Sequence, residues 1–450
     1  MNNFFKVVAS VSLMVLQASS LHAEVSAGEA GKLGTSLTPV GAEKAGNADG
    51  TIPAYTGGLT TVPAGFNKAS GVRPDPYANE KPLFSIDAGN VDKYADKLTD
   101  GAKALIKARP GFRADVYATH RSVAYPQVVL DNTIKNATRA KLTEDGLGVT
   151  GVWGGIPFPI PKDGNEVMQN HLLRYRGVAV HVPMANVYYV DANGKRYVST
   201  IGQTSDEWPY YGKSEGQTDV LFRTVATYVA PARRVGEAAM LIDPINNSEK
   251  ARRAWSYLPG QRRVRVAPDI SYDTPNPSTG GMSTYDDNYM FNGKLDRFDW
   301  KLVGKREIYV PYNTYRLTYA GNPDEVLQPK MINPASVRWE LHRVWVVEGK
   351  LKSDKRHVYS KRMFYIDEDS WHIVSADQYD GRGQLWRIGF NFLAPAYDAL
   401  APAAFMGAYD LVAGGYYIYQ WPSAGGVKFS DKLTPDSEWS ADALAQKGIR

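Results

Sequence analysis

The chain has 450 residues, of which 43% are hydrophobic and 22% charged, the balance of a folded globular protein rather than a disordered one. Its 52 basic and 47 acidic residues leave a net charge of +5, too weak over this length to argue for nucleic acid. Cysteine is absent, which excludes disulfides, thiolate metal sites, cysteine nucleophiles and a lipid anchor on an N-terminal cysteine.

Residues 1–23 predict a cleaved secretory signal peptide. Lys6 is their only charged side chain, an apolar stretch over 7–16 follows, and Ala18, Ser19, Ser20 and Ala23 supply small residues before a cut after Ala23. The apolar stretch is too short to span a bilayer. Residues 24–90 are rich in Gly, Ala, Pro and Thr and read as an extended arm lying on one larger domain, 91–450.

That domain opens with helical periodicity over 91–108, stopped by Pro110, and a second helix is expected over 131–142. Short strands then dominate, starting at 172–182, 187–190 and 196–201. Asp191-Ala192-Asn193-Gly194 is a hairpin signal between the last two, because Asn-Gly accepts positive φ at low cost. Further strands are expected at 220–229, 254–258, 262–266, 300–310 and 314–318. The late set 337–347, 357–366, 371–379 and 384–392 has short links and predicts an antiparallel meander. A covering helix near 400–412 and a strand over 416–421 complete the reading. The fold class is therefore mostly β, a large curved antiparallel sheet with a few covering helices. The 28 Tyr, 10 Trp and 14 Phe suit such a pleated surface.

Strand parity suggests a purpose for the meander. Val337, Trp339, Leu341, Arg343, Trp345 and Val347 share one face, and Arg338, Glu340, His342, Val344 and Val346 share the other. Large aromatics on one side of a curved sheet need cover from a helix, another sheet or a ligand. Trp255, Tyr257, Trp339, Leu341, Trp345 and Phe364 are accordingly the candidate lining of a hydrophobic cavity.

Catalytic patterns are missing: there is no GxSxG, P-loop or HExxH, and no enzyme activity or cofactor is expected. Beyond His22 in the leader, the histidines are 120, 171, 181, 342, 357 and 372. Placed on one straight strand, His171 and His181 would lie ~33 Å apart. His357 and His372 fall on neighbouring strands but lack two further ligands for zinc, so no metal is expected. Asp269, Asp273, Asp286 and Asp287 read as solvated acids capping turns. Arg252, Arg253, Arg262, Arg263 and Arg265 flank Trp255 and Tyr257 on a hairpin around Pro259-Gly260. They point to solvent, to acids or to anionic lipid headgroups.

The runs RRAWSYLPGQRRVRV (252–266), SYDTPNPSTGG (271–281) and MFNGKLDRFDWKLVGKREIYVPYN (290–313), with LGTSLTPVGAEKAGNADGTIPAYTGG (33–58), resemble the family called domain of unknown function 1329, exported proteins of Gram-negative bacteria. That family looks related to the outer-membrane lipoprotein-sorting chaperones. The resemblance implies an incomplete, strongly curved β-barrel with helical cover, holding acyl chains inside. It implies a periplasmic carrier of lipid or another hydrophobic molecule. Expected partners are a resistance-nodulation-division (RND/MMPL) transporter and an outer-membrane β-barrel protein. A structural adaptor between those two partners, carrying nothing itself, is the rival reading. A hydrolase with a hidden carboxylate or serine site is the third.

Overall fold

The computed structural model describes residues 25–267 and 272–449. The leader expected at 1–23 and Asp269 lie outside the described residues. A 17-stranded sheet dominates the molecule. Its main run is antiparallel throughout. Phe298–Pro311 pairs with Arg338–Leu351, and the order continues through Lys361–Asp367, Ile373–Tyr379, Leu385–Leu393, Ala404–Asp410 and Tyr416–Trp421. Tyr416–Trp421 then pairs with Asn186–Val190, far back in the chain. From there the run continues through Arg196–Glu207, Val220–Ala230, Ala238–Pro244, Arg253–Leu258 and Arg263–Val266. Among the described residues no ladder joins Arg263–Val266 to Phe298–Pro311, so the sheet curves but does not close.

The hairpin signal at 191–194 forms as expected. The Asp191 N–H donates to the Lys195 carbonyl at 3.0 Å, and Gly194 takes φ 84°. The helical stretch 91–108 splits in two, because Leu98 turns extended and the Thr99 hydroxyl caps the Ala102 N–H of Asp100–Ala108 at 3.0 Å.

Four expectations are corrected. Residues 172–173 end a helix, Gly164–Leu173, rather than beginning a strand; Asp163 caps it by accepting from the Glu166 N–H, and Val167, Met168 and Leu173 bury its apolar side. The helix expected at 131–142 is Gln127–Asn136, started by Pro126. The strand expected at 314–318 is one helical turn, Tyr315–Thr318. The covering helix expected at 400–412 is the strand Ala404–Asp410. It is paired on both sides, with Gly407 so tight that a Cβ there would meet the Tyr417 carbonyl at 2.8 Å. Sheet pairing outweighs local periodicity at each edge of this strand.

The meander is covered on both faces. Ile388 packs toward the helix Asp100–Ala108, where a Cβ on Gly101 would meet it at 2.7 Å. Its neighbour Gly389 faces the other way, where a Cβ would meet Met290 at 2.7 Å. The C-terminal helix Ala441–Ile449 closes a smaller cluster. Leu444, with Trp439, packs on Val225, Ala238, Met240, Ile242 and Tyr257.

Candidate functional site

The chain between the two unjoined edges, residues 272–297, crosses the inside of the curved sheet. Two buried carboxylates hold it there. Asp286 and Asp287 accept from the two terminal nitrogens of Arg362 at 2.8 and 2.7 Å. Asp287 also receives Tyr359 Oη at 2.8 Å and Gln378 Nε2 at 2.6 Å, and His357 Nε2 lies 3.1 Å from Asp286. Arg362 is wholly buried. Burial alone would raise the Asp286 carboxyl, but Arg362 and His357 outweigh it and hold the group well below the usual carboxylate range. These acids are therefore anchors within the interior, which corrects the reading of them as solvated turn caps. Asp273 pairs with Arg297 at 3.1 Å.

Between this crossing segment and the Val220–Ala230, Ala238–Pro244 and Arg253–Leu258 strands lies a groove. Thr224 pairs with Leu241, and Ala226 and Ser256 both pair with Ala239, so these residues share one face. That face looks at Tyr285, Asn288 and Tyr289 of the crossing segment, and Tyr419 and Gln420 add to the wall. Two cavities open along the groove, of about 260 and about 560 Å³. Arg252, Ala254, Trp255, Tyr272 and Asn292 line the larger one. The order of magnitude suits a small ligand, for which sites run ~300–1,000 Å³.

The wall is mixed in character. Tyr228, Tyr285, Tyr289, Phe222 and Leu241 give it apolar area. Asn276 supplies a polar point: its Oδ1 accepts from the Ser278 N–H at 2.9 Å, which fixes the amide, and its side chain also meets Tyr419 of the wall.

A second buried polar cluster sits at the far end of the meander. His342 lies with Nε2 3.1 Å from Glu340 and Nδ1 3.9 Å from Asp367, and the Tyr312 ring stacks on it at 3.7 Å. Burial, then the charge of Asp369, pushes Asp367 up to about 6. His342, Asp367 and Asp369 bring their donor atoms within 4.8 Å of one another. However, Arg121 takes both oxygens of Asp369, at 2.8 and 2.7 Å, which already supplies the positive charge a cation would bring. Lys305 and Arg343 do the same for Glu368 at 2.9 and 3.3 Å. Glu43 of the arm joins in, its N–H donating to Glu368 at 3.3 Å and its carboxylate 3.1 Å from Lys305, so this ion network ties the arm and the meander together.

The six cavity candidates separate. Trp255 borders the larger cavity and Tyr257 the smaller, but their sheet partners Met240 and Ala238 belong to the cluster under the C-terminal helix. Trp339 and Leu341 sit in the core cluster that also takes in Leu105 and Ile106, with Trp339 edge-on to Phe390 at 5.4 Å. Phe364 is wholly buried against Phe291 and Trp300. Trp345 stacks on Trp371 at 6.1 Å, with Lys305 over its ring. None of these last four borders either groove cavity. Residues 338–347 of the Arg338–Leu351 strand are covered on both faces, Arg338, Glu340, His342 and Arg343 being buried with the apolar residues and Trp345 half-buried. Arg252 points to an acid, donating to Asp243 at 2.6 Å. Sequence reasoning missed Tyr285, Tyr289 and Asn276, although they stand in the tyrosine-, asparagine- and proline-rich run between two strands.

Comparison with known proteins places these features in context. A family model described as Protein of unknown function (DUF1329) matches residues 85–445. The uncharacterized protein PA3922 of Pseudomonas aeruginosa is 43% identical over 464 residues, covering 98% of each chain. Among solved structures, a DUF1329 family protein from Desulfovibrio piger is 15% identical with a TM-score of 0.42, covering 62% of this chain and 95% of its own. A LolA superfamily protein from Nitrosomonas europaea is 12% identical with a TM-score of 0.36, covering 63% of this chain and all of its own.

Proposed function

We propose that this chain, which belongs to the DUF1329 family, is a carrier that binds lipid or another hydrophobic molecule in the groove between the crossing segment and the 220–258 strands. One observation carries the reading: the sheet stays open, and its interior holds two cavities of about 260 and about 560 Å³ with tyrosine- and leucine-bearing walls. An acyl chain of about a dozen methylenes would gain about 10 kcal/mol gross there, at ~0.8 per methylene. Lost ligand freedom consumes a large part, leaving roughly micromolar affinity.

The leader at 1–23 supports export to the periplasm, with cleavage near Ala23. No helix among the described residues is long and apolar enough to cross a membrane. An RND/MMPL-type transporter and an outer-membrane β-barrel protein are the proposed partners, the carrier passing its cargo between them. Native mass spectrometry of the protein purified from its own envelope, followed by solvent extraction, tests the reading. A co-purified hydrophobe of defined mass is the expected result. A clean protein that also ignores hydrophobic probes would favour the adaptor reading.

A further inference from the structure

Two hairpin tips meet at one end of the groove. The register Ala238↔Tyr257 brings the start of Ala238–Pro244 beside the end of Arg253–Leu258. The turn 231–237 and the turn 259–262 therefore stand side by side, about one strand spacing (~4.8 Å) apart at their bases. The Tyr228 N–H donates to the Glu237 carbonyl, the Gly236 N–H to the Tyr228 carbonyl and the Glu237 N–H to the Arg234 carbonyl, each at 3.0 Å, which keeps the first tip ordered.

These tips and the strand ends beside them expose apolar side chains next to positive charge. Val229 is 61% exposed and Val235 54%. Arg233, Arg262 and Arg263 are exposed beside them. Arg234 spends its charge on Glu237 at 2.8 Å, whereas no described carboxylate pairs with the other three. The result is a rim with apolar tips and uncompensated positive charge. It adjoins the groove, because Tyr228, Arg234, Glu237 and Leu258 line the smaller cavity.

We propose that this rim docks the protein onto an anionic phospholipid surface. The arginines answer the headgroup charge, and the valines enter the interfacial layer. The exposed side chains sit on two adjacent turns (Arg233, Val235, Arg262) and on the strand ends that flank them (Val229, Arg263), a small cluster of charge and apolar tips that suits the interfacial layer of a bilayer better than a folded acidic partner. Docking in this pose would turn the end of the groove toward the lipid. The inference concerns the surface alone and does not require the carrier reading.

Flotation of the full-length mature protein with vesicles tests it, comparing pure phosphatidylcholine with an equal mixture of phosphatidylcholine and phosphatidylglycerol. Binding is expected only to the anionic vesicles, and it should fall away near 0.5 M salt, where the Debye length is only a few ångströms (~4 Å). Arg233→Ala with Arg263→Ala should weaken partitioning about twenty-five-fold, at about fivefold per arginine. Val229→Asp with Val235→Asp should weaken it further. All four positions are exposed, so unchanged melting temperatures serve as the folding control. Equal binding to neutral vesicles, or unaltered binding by both double variants, would overturn the proposal. So would loss of binding on the arginine changes alone if an acidic polymer such as heparin competes and the valine changes do nothing. Vesicle binding without co-purified cargo would keep this inference and sink the carrier reading; the reverse result would do the opposite.

Discussion

Arg362 on the meander and Asp287 on the crossing segment meet at 2.7 Å with both side chains buried, a contact between residues 75 positions apart in the chain. This pair, with Asp286, fixes where the crossing segment runs. It therefore fixes one wall of the groove.

Arg362→Met should be strongly destabilising, by about 3–5 kcal/mol, because it leaves two buried carboxylates without their cation. Adding Asp286→Asn and Asp287→Asn should recover much of that loss. Urea denaturation of the single and triple variants checks the order. A single variant as stable as the triple would show that the carboxylates find another partner.

Asp377 should make stability fall as pH rises. Burial raises its pKa to about 7 from an ordinary 3.8, against hydrogen bonds from the Gly101 N–H and the Thr99 hydroxyl. The folded protein thus holds a proton that the unfolded chain releases. Its stabilising contribution is full below pH 3.8 and lost progressively up to about pH 7. Asp377→Asn removes this dependence. The variant should gain stability relative to the wild type by about 1–3 kcal/mol at pH 8 compared with pH 4. Paired melting curves across that range are the measurement.

Filling the groove should block binding without unfolding the protein. Ala226 and Ala239 face the smaller cavity, and neither is fully buried. Ala239→Trp should lower the affinity of a fluorescent fatty-acyl probe about tenfold or more, ~1.4 kcal/mol, while the melting temperature changes little. Trp345→Asp, by contrast, should lower the melting temperature, since it breaks the stack on Trp371 and places a carboxylate beside the Tyr- and Trp-rich interior. A probe that binds Ala239→Trp as well as wild type would move the site elsewhere.

Chelation should leave the fold intact. The cation-like role at Asp369 belongs to Arg121. EDTA is therefore expected to leave the melting temperature unchanged, and a large drop would reveal an ion coupled to folding.

Much of the sheet was legible because its strands advertise themselves. The hairpin at 191–194 and the meander strands over 337–392 carry β-branched and aromatic residues between turn formers, and they pair as the pattern requires. The elements that resisted were those decided by tertiary partners. Ala404–Asp410 has small and apolar residues compatible with a helix, and only its two neighbouring strands make it a strand. The groove was less legible than the fold. Parity identifies which side chains share a face, but it does not say what covers that face. Trp339 is covered by the segments that carry Phe112, Ile332 and Pro334, while the Ala226–Ala239 face, which looks unremarkable in the sequence, is left partly open. Asp286 and Asp287 read as surface acids because their partner Arg362 lies far along the chain.

The ladder between Asn186–Val190 and Tyr416–Trp421 sets a timetable for the molecule. Its partners are as much as 235 residues apart, whereas the other ladders in the main run join consecutive strands. Each half of the main run is therefore built of local hairpins, whereas this ladder, like those of Lys428–Ser430 with Ala179–Val182 and of Arg338–Leu351 with Ala114–Val116, needs the closure of a long loop, the kind of contact that slows folding. A chain emerging N-terminus first has its 186–266 strands in place before Tyr419 and Gln420 arrive to finish the groove wall. Until then the apolar inner face of those strands is uncovered along that side. This interval is when the chain is most exposed to aggregation.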